Sequence, residues 1–176
     1  MEPSHGGERR PVAEQALAHA DSLYNFARYL TGNGADAEDL VQEAYTRALT
    51  ALSRFDGRNL KAWLFTIVRN TFFDSYRKRS HDPARAEDGL AEHALVDADL
   101  LRDDIELHQL RRMVAADIEA ALMTLSEDAR TIILLDLEGM SELETAEILG
   151  CAVGTVKSRL FRARQALRKR LEHYAR

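Results

Sequence analysis

The stretch SELETAEILGCAVGTVKSRLFRARQAL, residues 141–167, decides the fold. Ser141 is suited to cap a short helix running to about Leu149, because a serine oxygen accepts hydrogen bonds from the unpaired N–H groups of a first turn. Gly150 supplies a left-handed stop, which a residue without Cβ adopts at little cost. Cys151, Ala152 and Val153 then make a turn, and a second helix starts near Gly154. Two helices joined by three or four residues form the helix-turn-helix unit. In the second helix Val156, Leu160, Ala163 and Leu167 share a stripe that can pack inward. Lys157, Ser158, Phe161 and Arg162 fall together on another face. With Thr155 and Arg159 of the same helix they are candidates for a DNA major groove, where ammonium and guanidinium groups neutralise phosphates or pair with guanine edges. A plain basic surface helix would carry the same charge; the preceding helix, glycine and turn separate the two readings.

The charge distribution agrees. The 176 residues carry a net charge of −5, which by itself argues against nucleic acid. From Val153 to Arg176, however, there are eight Lys/Arg and one Asp/Glu, a balance of +7, which leaves 16 basic and 28 acidic residues, a balance of −12, for the other 152. A basic C-terminal tip on an acidic body points to a nucleic-acid contact at one end and a protein partner elsewhere.

Moving outward along the chain, helical spacing dominates and no sustained apolar–polar alternation is present, so the expected class is all-α: two small helical domains joined by a flexible linker, the C-terminal one containing the helix-turn-helix. Met1 to Pro11 reads as a flexible tail. Val12 to about Leu30 reads as one helix, with Ala16, Leu17, Ala20, Leu23, Phe26, Ala27 and Leu30 at apolar positions. Thr31-Gly32-Asn33-Gly34 breaks it. Asp36-Ala37-Glu38-Asp39 opens the next, where acids face the positive end of the helix dipole. Ser53 to Leu60 is a loop, and a third helix runs from about Lys61 to Arg79. Residues 81–99, with Asp82-Pro83 and Asp88-Gly89, read as the linker between a domain over 12–80 and one over 100–176, leaving the two without fixed spacing. Helical spacing returns near Leu100 and continues to Leu125. Ser126 then caps a helix that ends at Gly139.

The third helix is rich in aromatics. Rings stack on unpaired bases and an amide reads a base edge, so Trp63, Asn70 and Tyr76, with the terminal Arg77-Lys78-Arg79, suit single-stranded nucleic acid. Most of the rings are nonetheless expected in the core of a three-helix domain, with Trp63, Ile67 and Phe72 at its centre.

With both segments in place, the chain resembles the extracytoplasmic-function group of bacterial sigma factors. One matching stretch is Leu23 to Ser80, including Asp36-Ala37-Glu38-Asp39-Leu40-Val41-Gln42-Glu43-Ala44 and Trp63-Leu64-Phe65-Thr66-Ile67-Val68-Arg69-Asn70; it is similar to the family's second region. The other is about Ala120 to Leu171, with Gly154 to Arg164, and is similar to the fourth region. The resemblance implies that Asp36, Asp39, Gln42 and Glu43 dock on the clamp helices of core RNA polymerase. It implies that the third helix and the loop before it open the minus-ten element, with Asn70 and Phe55 handling unpaired bases. It implies that Lys157, Ser158, Phe161 and Arg162 face the minus-thirty-five element, and that an anti-sigma protein is a further partner. The sequence departs from the family at Glu142-Leu143-Glu144-Thr145-Ala146, where an aromatic usually stands; Leu143 is expected to take over its packing contact.

Two other classes compete. A stand-alone helix-turn-helix regulator binding an operator explains the C-terminus but leaves the Asp36 helix and the aromatic helix without a role. An enzyme is disfavoured: the carboxylates are scattered, the six histidines show no metal-ligand spacing, and there is no Gly-rich phosphate loop, so neither cofactor nor metal is expected. Cys151 is the sole cysteine and reads as a small turn residue, outside any disulfide. With no signal peptide and no membrane-spanning run, a soluble cytoplasmic protein is expected.

Overall fold

A computed structural model describes residues 6–80 and 104–175. The expected linker over residues 81–99 lies outside the described residues. Among those described, all regular structure is helical: α1 (Gly6–Leu17), α2 (Ala20–Thr31), α3 (Gly34–Ala51), α4 (Leu60–Ser80), α5 (Asp104–Met123), α6 (Glu127–Leu137), α7 (Glu142–Leu149) and α8 (Val153–Arg170), with short 3-10 turns after α3 and α8.

Helices α2, α3 and α4 form the N-terminal unit. Leu23, Phe26, Ala27 and Leu30 of α2 face Ala37, Leu40, Ala44 and Ala48 of α3, whose small side chains let the helices approach closely. Phe26 and Phe65 meet at 4.9 Å between ring centres in a tilted pair. Gly32, at φ 83°, ends α2, and its N–H returns to the Arg28 carbonyl. Asn33 caps α3: its Oδ1 accepts from the Asp36 N–H at 2.7 Å, and its Nδ2 donates to the Asp36 carboxylate at 2.7 Å. Helix α3 therefore starts two residues before Asp36, whose carboxylate is engaged with the cap.

Four expectations need correction. The helix read continuously over 12–30 is two helices broken at Ala18-His19. The Tyr45 hydroxyl donates to the Ala16 carbonyl at 2.8 Å, and His19 N–H does so at 3.1 Å, so that carbonyl is diverted from the i to i+4 pattern. Leu17, counted as a core position, is 65% exposed. Part of the expected tail is ordered as helix, since α1 begins at Gly6. On α4 the buried face is Ala62, Leu64, Phe65, Val68 and Thr71; Trp63, Ile67 and Phe72 pack around its edges half-buried.

The C-terminal unit is built around α6, where every residue from Arg130 to Leu135 is buried, as expected for a helix surrounded by neighbours. Ser126 caps it, accepting from Ala129 N–H. Helix α8 lies against α6 and α7 through Val156, Leu160 and Ala163.

The two units are packed together, with α2 against α6 and α4 against α7, and one core cluster runs through both. The expectation of no fixed spacing gives way to a defined contact. Arg130 is buried and donates to the Leu30 carbonyl at 2.9 Å, the Tyr29 carbonyl at 3.3 Å and the Leu125 carbonyl at 3.3 Å. Burial holds its pKa below the ordinary guanidinium value. The Arg28 guanidinium pairs with Glu119 at 2.8 Å.

Candidate nucleic-acid and protein interfaces

The helix-turn-helix forms as its local signals require. Ser141 Oγ accepts from Glu144 N–H at 3.2 Å, while the Glu144 carboxylate accepts from Ser141 N–H at 2.7 Å, a reciprocal capping box. Gly150, at φ 62°, closes α7, and Cys151 N–H bonds to the Ala146 carbonyl at 3.0 Å. Cys151 is half-buried in the turn. Helix α7 packs through Thr145, Ala146 and Ile148, whereas Leu143 is 61% exposed. The packing contact expected of Leu143 is not made, and the helix is seated without it.

On α8, Lys157, Ser158, Phe161 and Arg162 are all exposed on one face, with Phe161 at 64%. A ring so exposed in a helix that has already buried its apolar stripe is available to a partner. Lys157 pairs with Glu142 at 3.3 Å, and Arg162 Nε donates to the Ser158 carbonyl at 3.2 Å. Thr155 and Arg159 are half-buried at the border of this face, and Arg159 pairs with Asp128 at 3.4 Å. Exposed pairs of this kind are worth at most about 1 kcal/mol, so a phosphate can displace them.

The cap offers a direct test. The Ser141 hydroxyl and backbone N–H hold the Glu144 carboxyl below the usual glutamate range. Because the folded pKa is depressed, the box stabilises fully above the ordinary glutamate pKa and is lost as pH falls through the folded value. Ser141→Ala is expected to cost about 1 kcal/mol at neutral pH, and to flatten the acid-side loss of stability seen in thermal melts of the parent. Identical melts across the acid range would show that the box contributes nothing.

The aromatic helix α4 presents a second surface. Phe55 and Trp63 stack at 5.0 Å between ring centres, both half-buried. Asn70 is exposed, two turns from Trp63 and roughly 10 Å along the same side of the helix. Its Oδ1 accepts from Arg69 at 3.1 Å, and the Arg69 guanidinium lies 4.8 Å from the Phe73 ring centre. Asn70 is thus not a buried structural amide. Arg77, Lys78 and Arg79 lie in the last turns of α4, and their side chains fall outside the described residues.

The acidic surface is on α3. Asp39, Gln42 and Glu43 are exposed, while Asp36 is half-buried at the cap. Glu43 and Asp74 both bind Arg47, at 2.6 and 2.9 Å, tying α3 to α4. A cavity of about 500 Å³ opens beside this surface, lined by Asp36, Asp39 and Glu43 on one side and by Met123, Glu127 and Arg130 of the C-terminal unit on the other. The sequence reading missed the residues that join the units, Arg28, Asn59, Lys61, Glu119, Arg130 and Glu138; they contact partners up to 101 positions away and leave no local signal. Among the described residues no cluster of His, Cys, Asp and Glu is placed to hold a metal, and no helix is long and apolar enough to cross a membrane.

Comparison with known proteins identifies the family of both units. Residues 16–82 match the family described as Sigma-70 region 2, and residues 115–167 match Sigma-70, region 4. The chain is 42% identical over 158 residues to the ECF RNA polymerase sigma factor EcfG of Rhodopseudomonas palustris, covering 89% of this chain and 82% of that protein. It is 31% identical to the ECF RNA polymerase sigma factor SigW of Bacillus subtilis, covering 94% and 91%. Among solved structures it is similar to the sigma factor RpoE of Bartonella quintana, determined in complex with the anti-sigma factor NepR, at 36% identity and a TM-score of 0.72, covering 90% and 95%. It is also similar to CnrH, solved with the cytosolic domain of CnrY, at 27% identity and a TM-score of 0.67, covering 95% and 91%. With region 2 carried by the N-terminal helices and region 4 by the helix-turn-helix, the chain belongs to the extracytoplasmic-function sigma factors, which direct RNA polymerase core to specific promoters.

Proposed function

We propose that three surfaces divide the work: Asp39, Gln42 and Glu43 on α3, with Asp36 at its cap, dock on core polymerase; Phe55, Trp63, Asn70 and Arg77-Lys78-Arg79 handle the minus-ten strand; and α8 reads the minus-thirty-five duplex through Lys157, Ser158, Phe161 and Arg162, flanked by Thr155 and Arg159. The observation that carries this reading is the exposed face of α8, where two cations, a hydroxyl and a ring stand free of the core on the second helix of a helix-turn-helix. The protein catalyses no reaction of its own and works in the cytoplasm with polymerase. An anti-sigma protein is a further partner, by analogy with the complexes of similar sigma factors. The opposing idea, a regulator that binds its operator alone, is tested by footprinting without polymerase.

Run-off transcription with core polymerase and a promoter of the source organism tests the assignment, and Asn70 sharpens it. An exposed helix residue supports little of the fold, so Asn70→Ala is expected to shift stability by no more than about 0.5 kcal/mol. Closed complexes should still form, while permanganate reactivity of the minus-ten thymines falls severalfold. Unchanged reactivity removes Asn70 from strand opening.

A further inference from the structure

Arg69 and Asn70 are consecutive on α4, and consecutive helix residues do not ordinarily face each other. Here they meet: Arg69 Nη1 donates to Asn70 Oδ1 at 3.1 Å. The cause is Phe73, one turn on from Arg69, whose ring holds the guanidinium 4.8 Å from its centre. Phe73 is itself seated edge-on against Phe72 at 5.3 Å, and Phe72 packs on the core. Arg69 is half-buried, with its Nε shut off from solvent. The end of the side chain that reaches Asn70 is therefore anchored to the fold.

A guanidinium is all donor and no acceptor, so it dictates which end of the amide turns toward it. Oδ1 faces Arg69, and Nδ2 is turned away. One turn further along α4, the Asp74 carboxylate is the local acceptor that would compete for an Asn70 donor, but Arg47 of α3 holds it at 2.9 Å. Among the described residues Nδ2 donates to no acceptor, and Asn70 is exposed. The cation beside Oδ1 also acts electrostatically. It occupies one lone pair, repels an incoming N–H, and polarises the amide so that Nδ2–H donates more strongly.

We propose that Arg69 is a positioning residue that sets the base preference of Asn70: with Oδ1 held by Arg69, the amide offers donors to the unpaired strand and reads a base carbonyl, as thymine presents at O2 and O4 and adenine lacks. The inference rests on the assignment of Asn70 to the minus-ten strand given above. An asparagine with both ends free pairs bidentately with adenine, accepting from N6 and donating to N7. Arg69 takes away the accepting half of that pair.

The test uses holoenzyme reconstituted with the full chain. The templates are forks whose minus-ten non-template strand is already unpaired, with each base of that strand made thymine or adenine in turn. Anisotropy gives the affinities. Wild type is expected to prefer thymine by about tenfold at one position, the scale of a good side-chain contact to a base. Arg69→Met keeps the stem and removes the donors. The preference at that position should fall to about twofold or turn toward adenine, with preferences elsewhere unchanged. Arg69→Lys, which keeps a cationic donor, should restore part of it. In an Asn70→Ala background Arg69→Met should change that position no further, because residues acting as a unit are not additive. If Arg69→Met fails to fold, Phe73→Leu removes the ring that holds the guanidinium and should show the same selective loss. An unaltered preference in the variant assayed, an equal loss of affinity on every template, or a wild-type preference for adenine at the position silenced by Asn70→Ala overturns the proposal. The two claims fail differently. If Asn70→Ala leaves every preference intact, the minus-ten assignment of Asn70 falls together with the inference. If Asn70→Ala erases a preference that Arg69→Met retains, the assignment stands and the positioning role alone falls.

Discussion

Asp39→Arg is expected to reduce retention on core polymerase by at least about a hundredfold, while thermal stability stays within about 0.5 kcal/mol of the parent. The asymmetry follows from where the two acids of the first turns stand. Asp36 is held by Asn33 and helps to cap its own helix, so changing it mixes folding with binding. Asp39 is exposed one turn further along, beyond the reach of the cap. Reversing its charge sets like charges against each other if the partner surface is basic, and like-charge juxtaposition across an interface costs several kcal/mol. Co-purification of tagged variant with core enzyme, alongside a melting curve, is the measurement. Equal retention of variant and wild type rules out α3 as the docking surface.

Signals that act over four residues or fewer were legible in the sequence. Gly32 and Gly150 end helices, and Ser126 and Ser141 start them, because a cap or a left-handed residue carries its consequence within its own turn. The exposed face of α8 was legible for the same reason: residues 157, 158, 161 and 162 are neighbours on any helix, and the opposite stripe was already apolar. The break at His19 was not legible, since its cause is Tyr45, 29 positions from the carbonyl it binds. The buried face of α4 was misread because Trp63, Leu64, Phe65, Ile67, Val68, Phe72 and Phe73 surround the helix; with apolar side chains on nearly all sides, no single stripe marks the core.

The joining of the units was the largest omission, and its physics explains why. Arg28 and Arg130 are buried cations, which composition leads one to place on the surface. Each is tolerated because fixed acceptors meet it: a carboxylate for Arg28 and helix-end carbonyls for Arg130. Those acceptors are supplied by the other unit or by the turn before α6, so only the assembled fold reveals them. Leu143 illustrates the converse: the sequence assigned it a packing contact by position, yet the capping box and the small Thr145-Ala146 face seat α7 without it.

The double variant Lys157→Ala, Arg162→Ala is expected to lower run-off transcription from a cognate promoter by tenfold or more, with core retention unchanged. Neither side chain sustains the fold: Lys157 makes one exposed ion pair, and Arg162 bonds to a carbonyl of its own helix. Their removal should therefore leave the melting curve within about 0.5 kcal/mol of the parent, and the loss belongs to DNA. The single variants separate the two roles. An arginine bidentate to guanine contributes about 1–3 kcal/mol and discriminates one base pair, so Arg162→Ala should lose affinity for the cognate minus-thirty-five sequence and gain tolerance of substitution within it. A lysine on a phosphate contributes regardless of sequence, so Lys157→Ala should weaken all promoters alike and reduce the slope of log K against log salt by about 1. The exposed Phe161 shares the face of both and, on the proposed reading, would offer a thymine methyl an apolar contact that neither cation replaces. Holoenzyme affinities measured over a salt series on cognate and singly substituted promoters give both slopes and both specificities. Promoter activity of the double variant equal to wild type would remove α8 as the reading helix.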